Sequence, residues 1–262
     1  MEQDFLRIKE LLLEYIKLIL KNYSNCDKEK ILNSINNDDK IVEFNTLDTI
    51  TFIVQNGVLL LPKAAYKLFP LLKQNENYGT KANNHRSIED YLDTNTTYME
   101  YINHLIESGM DVYDYFEESL LHEAMHICGS QGGTPLEEGI NELKTRELAQ
   151  KYNIKIAAYG YSKEVEISKQ LQQIVGKDIM DELTFIPKHK RKEFLIHKSG
   201  EDVAELYKLL SNKMIEKSSN YYDKLFQVSD PFEKAKLYED VDYTEVYQII
   251  DNYQTKKNYS YY

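Results

Sequence analysis

The spacing of apolar and polar residues predicts helices at the start of the chain and throughout its second half. Apolar residues recur at every third or fourth position over 4–22 and, more briefly, over 28–36, as on one face of a helix. The same spacing predicts later helices near 96–108, 112–128, 135–152, 162–175, 202–217, 219–227, 231–239 and 243–254.

The pattern changes between residues 40 and 62. Short β-branched and aliphatic runs at 40–46, 49–55 and 57–62 are separated by Asn, Asp and Gly. They predict two or three strands, with Asn56-Gly57 as a hairpin turn. A helix is expected over 64–72, and the polar stretch 73–87 is expected to be a surface loop.

These elements predict an α+β fold class, in which a small N-terminal sheet and a central helix precede an all-helical part. We expect an N-terminal α/β lobe over residues 1–129, ending in the helix at 112–128. A helical C-terminal lobe follows over 130–262, and the two lobes are expected to form one functional unit.

Charge and hydrophobicity exclude two classes of partner. The net charge of −11 argues against nucleic-acid binding. The basic run from Lys188 to Lys192 is interpreted as a solvated loop after Pro187. No run of apolar residues is long enough for a membrane-spanning helix, so no membrane span is expected.

Cysteine usage bears on the compartment. The chain has two cysteines, Cys26 and Cys128, which is too few for a disulfide framework and fits a reducing environment. The N-terminal segment has Glu and Lys among its apolar residues, unlike a signal peptide. A cytoplasmic location is therefore expected, and a mature secreted form stays open.

The candidate chemistry lies in the helix predicted at 112–128. His122, Glu123 and His126 form an HExxH motif. Residues four apart share one helix face, so both imidazoles can bind one Zn²⁺. Glu123 is rotated by roughly 100° from His122, which keeps it beside the metal as a base for a water molecule. The alternative is two surface histidines on a helix.

A third protein ligand must come from the next helix. The metzincin pattern HExxHxxGxxH needs a histidine at position 132, which is a glycine here, although Gly129 fits that pattern. Thr134 is expected to cap the next helix, with Pro135 at its first position and Glu137 completing a capping box.

Two further glutamates, Glu138 and Glu142, lie one turn apart on that helix. Like charges at this spacing repel each other, so they favour a nearby cation or histidine, and Arg146 can relieve Glu142. Glu138 is nearest the glycine-containing connection and is predicted to be the third zinc ligand. Glu142 is predicted to orient a zinc histidine through its free ring nitrogen. The alternatives are an ordinary solvated acidic face, or Glu142 as the ligand.

An HExxH motif followed by an acidic ligand in the stretch "LEEGINE" resembles the gluzincin metallopeptidases. Glu138-Gly139 matches the ligand position of that clan, and Glu142 matches its histidine-orienting carboxylate. Eleven residues separate His126 from Glu138, so the spacing is similar to that of compact, single-domain members. The resemblance covers residues 120–149 and implies a zincin-like fold.

The resemblance implies a zinc-dependent peptidase that acts on peptide or protein substrates through a metal-activated water, with Glu123 as general base. It also implies a Tyr or His that stabilises the oxyanion. Tyr161 is favoured and Tyr159 is second, with the histidines at 189 and 197 as further candidates. The pattern specifies neither cleavage preference nor oligomeric state.

The alternative hypothesis is non-enzymatic. In it, the chain is a catalytically silent zinc-binding regulatory or interaction protein with a zincin fold. Glu123 argues against it, because a structural zinc site has no use for an acid–base carboxylate. Such a site is also usually closed by a fourth protein ligand, and the sequence offers no obvious one.

Overall fold

The structure is a computed structural model that describes residues 2–26, 28, 31, 42–44, 53–55, 58–61, 109, 111–129, 133–157, 160–225 and 231–259. Three strands are β1 (Val42–Phe44), β2 (Ile53–Gln55) and β3 (Val58–Leu61). The helices are α1 (Glu2–Asn22), α2 (Val112–Cys128), α3 (Pro135–Tyr152), α4 (Ser162–Val175), α5 (Lys177–Phe185), α6 (Arg191–Ser199), α7 (Glu201–Leu225), α8 (Pro231–Glu239) and α9 (Thr244–Tyr259), with a 3-10 turn at Lys188–Lys190.

The three strands pair in the order β1-β3-β2. β1 is parallel to β3, with Val42 opposite Leu59. β2 is antiparallel to β3, with Gln55 opposite Val58. The predicted turn at residues 56–57 lies outside the described residues.

The α+β fold class expected from the sequence is wrong, because the described part of the chain is mostly helical. The strands contain only three or four residues each. Among the side chains that the structure describes, which do not include those of the strands, the buried apolar ones lie on helices or in adjoining turns and pack helix against helix. The division into lobes at residue 129 stays a prediction.

The first helix covers one side of the helix that carries the histidines. Ile8, Leu12, Ile16 and Ile19 follow helical spacing and are almost completely buried. α1 packs directly against α2. The buried apolar residues of α2 are Phe116, Leu120, Leu121, Ala124, Met125 and Cys128. This packing holds α2 in place and leaves its polar face for α3.

A second core joins α3 to the C-terminal helices. Leu136 and Ile140 of α3 pack in one cluster with residues of α4, α5, α6, α7 and α9. α3 and α4 approach closely at Gly139, where an added Cβ would lie 2.5 Å from the Glu164 carbonyl oxygen. A glycine next to Glu138 therefore brings the start of α4 close to the candidate ligand.

The helices around the motif are confirmed with the bounds expected from the sequence, namely 112–128, 135–152 and 162–175. The sequence pattern did not predict α5, the 3-10 turn or α6. It also predicted two helices, at 202–217 and 219–227, where the structure has the single helix α7 from 201 to 225. At the predicted break, the Ser218 hydroxyl donates to the Met214 carbonyl and the helix continues through this residue.

The remaining predicted elements mostly lie where the structure gives no description. These are the helices at 64–72 and 96–108, the loop at 73–87, and all but two residues of the helix at 28–36. Among the described helices, none combines the length and the apolar character needed to cross a membrane.

The basic run is not simply the solvated loop that the sequence predicts. Lys188 and Lys190 are exposed in the 3-10 turn, but Arg191 begins α6 and is only 5 % exposed. Its Nη1 atom donates to Oε1 of Glu137, which is 4 % exposed, at 2.5 Å. Arg191 therefore joins α6 to the first turn of α3.

This ion pair changes the role expected for Glu137. The Thr134 side chain caps α3 by accepting from the Glu137 amide at 3.3 Å, and Pro135 follows it, as predicted. The Glu137 carboxylate, however, pairs with Arg191 rather than completing a capping box. A guanidinium 54 residues away competes successfully for that carboxylate.

Glu137→Ala is expected to lower the free energy of unfolding by about 3–5 kcal/mol, because it leaves the Arg191 charge buried without its partner. Thr134→Ala removes the cap alone and is expected to cost about 0.5–2 kcal/mol. Urea unfolding followed by circular dichroism measures both. Equal losses in the two variants would show that the buried ion pair contributes little beyond capping.

Candidate metal centre

Two histidines of α2 and one glutamate of α3 converge on a common point. The Nε2 atoms of His122 and His126 lie 3.0 Å apart. Oε2 of Glu138 lies 3.3 Å from Nε2 of His122 and 3.0 Å from Nε2 of His126. These three residues form a group whose donor atoms could hold one metal ion.

The spacing of these donors suits zinc. Tetrahedral zinc with bonds of about 2.0–2.1 Å has neighbouring ligand atoms about 3.3 Å apart. The three observed separations, from 3.0 to 3.3 Å, are close to that edge length. Two imidazole nitrogens and one carboxylate oxygen are also a usual donor set for catalytic zinc. The residues present therefore fit the metal that the sequence predicts.

The contacts between α2 and α3 show how the site is assembled. His126 meets Glu138, while His122, one turn earlier, meets Glu142, one turn later. Glu118 and Arg146, one further turn along each helix, lie 3.8 Å apart. This order means that the two helices run antiparallel, so each turn of α2 faces one turn of α3.

Each histidine has a partner at its second ring nitrogen. Nδ1 of His122 lies 2.9 Å from Oε2 of Glu142, as expected for a carboxylate that orients a ligand. Nδ2 of Asn141 lies 2.5 Å from Nδ1 of His126 and 3.3 Å from its Nε2. The two orientations of an asparagine amide are interchangeable, and with Oδ1 rotated into this position Asn141 would accept the Nδ1 proton and leave Nε2 free to bind a metal.

Sequence reasoning missed Asn141. It follows Glu138 by three residues, so helical spacing places both near the same face of α3. That spacing was the available signal, although a neutral amide is a less obvious partner for a ligand histidine than the neighbouring glutamates.

The charges of the group favour a cation. Burial alone would lower the pKa of His122, but hydrogen bonds with Glu138 and Glu142 raise this pKa well above its ordinary value. Burial would raise the pKa of Glu138, but His126 and His122 hold this pKa far below its ordinary value. Burial opposes ionisation of Glu142 too, yet the contact with His122 lowers its pKa. Both carboxylates are therefore ionised at neutral pH.

Glu123 lies beside the donor group rather than within it. It is 8 % exposed and lines a cleft together with His122, Glu142, Gly160, Tyr115 and Tyr161. The cleft therefore reaches the His122 side of the centre and the carboxylate that the sequence assigns as general base.

Tyr161 also lies against the centre. Its ring stacks on the ring of His122, with centroids 5.4 Å apart and planes inclined by 13°. The structure thus brings this tyrosine to the predicted place, and its donation to an oxyanion stays a prediction. Tyr159 lies outside the described residues, while His189 and His197 are exposed on the C-terminal part.

Removing the partner of His122 tests its orienting role. Glu142→Ala is expected to weaken zinc affinity by about 10–100-fold, because His122 loses the acceptor that holds its tautomer and ring orientation. Competition with a chelator of known zinc affinity measures this change. Glu166→Ala, on the exposed side of α4, is the control. Equal zinc affinity in both variants would remove the orienting role from Glu142.

Comparison with protein-family models, with curated proteins and with solved structures finds no match to this chain. The functional assignment therefore depends on the chemistry of the site itself.

Proposed function

We propose that the chain is a zinc-dependent peptidase. The observation that carries this proposal is the convergence of His122, His126 and Glu138 within 3.0–3.3 Å of one another, with Glu123 in the adjoining cleft. Three protein ligands leave one coordination position for a water or a substrate, as catalytic zinc requires. The arrangement resembles that of the gluzincin metallopeptidases, and the proposal includes that class of mechanism.

Zinc, when bound, would polarise the scissile carbonyl and lower the pKa of a water molecule toward 7. Glu123 accepts the proton of the attacking water and passes it to the leaving amine. Glu142 and Asn141 hold the two imidazoles with Nε2 directed at the metal position. Tyr161 donates a hydrogen bond to the negative charge that develops on the former carbonyl oxygen.

The proposed substrates are peptides or proteins, in keeping with this chemistry. The proposed setting is the cytoplasm, and it is supported by two cysteines that are both free thiols.

A second candidate function is a non-enzymatic zinc-binding protein. The observation that favours it is the burial of the centre, since His122, Glu123 and His126 are 5 %, 8 % and 7 % exposed. A closed structural site would be buried in this way. The peptidase is preferred because a buried carboxylate at position 123 has a role in hydrolysis but none in holding metal.

The first test is metal content. Protein purified without chelator is expected to contain about one zinc per chain, because three ligands form one donor group. Elemental analysis measures this value, and dialysis against a strong chelator is expected to remove both zinc and cleavage of a mixed peptide library. A zinc-loaded protein without cleavage would favour the second candidate. Protein that takes up no zinc would contradict both.

A further inference from the structure

Arg146 makes two hydrogen bonds through different nitrogen atoms of its guanidinium, in addition to its 3.8 Å ion pair with Glu118. Its Nε donates to Oε1 of Glu142 at 2.7 Å, and this glutamate holds Nδ1 of His122 through its other oxygen. Its Nη2 donates to the Gly160 carbonyl at 2.5 Å. One side chain therefore links the partner of a candidate ligand to the segment that leads into α4.

The segment held by Arg146 carries Tyr161 in an unusual backbone conformation. Tyr161 has φ 54° and ψ 32°, in the left-handed region that bulky residues rarely adopt. Such a conformation costs free energy and persists only where the surrounding structure holds it. The carbonyl immediately before Tyr161 accepts from Arg146, and the Tyr161 ring stacks on His122.

The first turn of α4 is also held by hydrogen bonds between its residues and the segment at 238–243. Lys163 donates to three carbonyls, those of Tyr238, Glu239 and Val241. Glu164 accepts from the hydroxyls of Tyr238 and Tyr243. These contacts do not involve Arg146, so α4 retains its anchorage to the C-terminal helices when Arg146 is replaced.

We propose that Arg146 is a positioning residue, whose guanidinium sets the orientation of His122 through Glu142 and the placement of Tyr161 through Gly160. The two rings are thereby held stacked on each other at the wall of the cleft. The catalytic meaning rests on the proposed function, because it takes His122 as a zinc ligand and Tyr161 as a donor. The geometric claim concerns the chain alone and is tested without activity.

The geometry also explains the choice of arginine. Nε and Nη2 are separate donors in a rigid planar fork, whereas lysine has one nitrogen on a flexible stem. A lysine would retain the positive charge beside Glu142 but could not reproduce both contacts. Arg146→Lys therefore separates positioning from simple charge compensation.

The chain contains no tryptophan, so Tyr161→Trp introduces a single indole at the position in question. Because Tyr161 is half-buried, we expect this indole to be partly shielded from acrylamide in the folded, metal-free protein. Adding Arg146→Gln or Arg146→Lys is expected to raise the acrylamide quenching constant severalfold in both cases. Lys151→Gln removes one charge from an exposed site on the same helix and is the control that should leave quenching unchanged. Circular dichroism confirms that each variant is folded.

Zinc affinity gives the second measurement, in chains that keep Tyr161. Arg146→Gln is expected to weaken zinc binding by about 10–100-fold. Combining it with Glu142→Gln is expected to cause no further loss beyond the larger single effect, because both act on His122 through one path. Additive losses would overturn the link through Glu142.

The proposal also fails if quenching in Arg146→Lys equals that of the Arg146 parent, because charge alone would then suffice. If Arg146→Gln does not fold, Arg146→Lys carries the test with its charge retained. A parent protein that binds no zinc would remove the proposed function. The quenching experiment would still test the placement of Tyr161, because it is made on the metal-free protein.

Discussion

Glu138→Ala is expected to abolish stoichiometric zinc binding and peptidase activity together. The oxygen it removes lies 3.3 Å and 3.0 Å from the Nε2 atoms of His122 and His126. Two histidines alone do not supply the three protein ligands of a catalytic zinc site, so a dilute chelator should empty it. Zinc retained after dialysis against a weak chelator is the measurement.

Two neighbouring glutamates are the controls for this experiment. Glu137→Ala removes the partner of Arg191 and should lower stability while zinc is retained. Glu142→Ala should retain zinc with weakened affinity, since its carboxylate faces Nδ1 of His122 rather than the donor group. If Glu142→Ala empties the site while Glu138→Ala stays loaded, the ligand is one turn later on α3 than proposed.

Glu123→Gln is expected to retain zinc and to lose activity by about 10²–10⁴-fold, the usual contribution of general acid–base catalysis. Glutamine has nearly the same shape as glutamate but cannot accept the proton of the attacking water. Glu123 also lies outside the donor group, so metal binding should be preserved. Steady-state cleavage of a peptide substrate and elemental analysis of the same sample measure the two effects.

Glu166→Gln makes the same chemical change at an exposed position of α4 and should retain parental activity. Parental turnover in Glu123→Gln would rule out its role as base. Loss of zinc in that variant would instead show that Glu123 supports the donor group directly, and the decrease in activity would then carry no information about proton transfer.

The sequence alone predicted the two helices that carry the candidate centre, together with their bounds. Local rules were sufficient there. Thr134 and Pro135 start α3 by capping, which depends only on residues within one turn. The four-residue spacing of His122 and His126 places their rings on one face wherever the helix packs.

The fold class was the part of the fold that the sequence predicted wrongly. Short aliphatic runs over 40–62 suggested an α+β protein, but such runs do not reveal how far a sheet extends. The helices α5 and α6, with nine residues each, were missed, although α8 of the same length was predicted. Helices of that length depend on tertiary packing for their stability, and Met180, Leu183 and Leu195 supply it by joining the core shared with α3.

Only the tertiary structure decided which side chains pair across the helices that build and surround the candidate centre. Glu137 pairs with Arg191, Asn141 turns to His126, and Arg146 reaches the Gly160 carbonyl. Sequence spacing indicates which residues share a helix face, but it does not indicate what lies opposite that face. That depends on how closely helices pack, and here Gly139 allows α4 to approach α3 closely enough for Tyr161 to lie over His122.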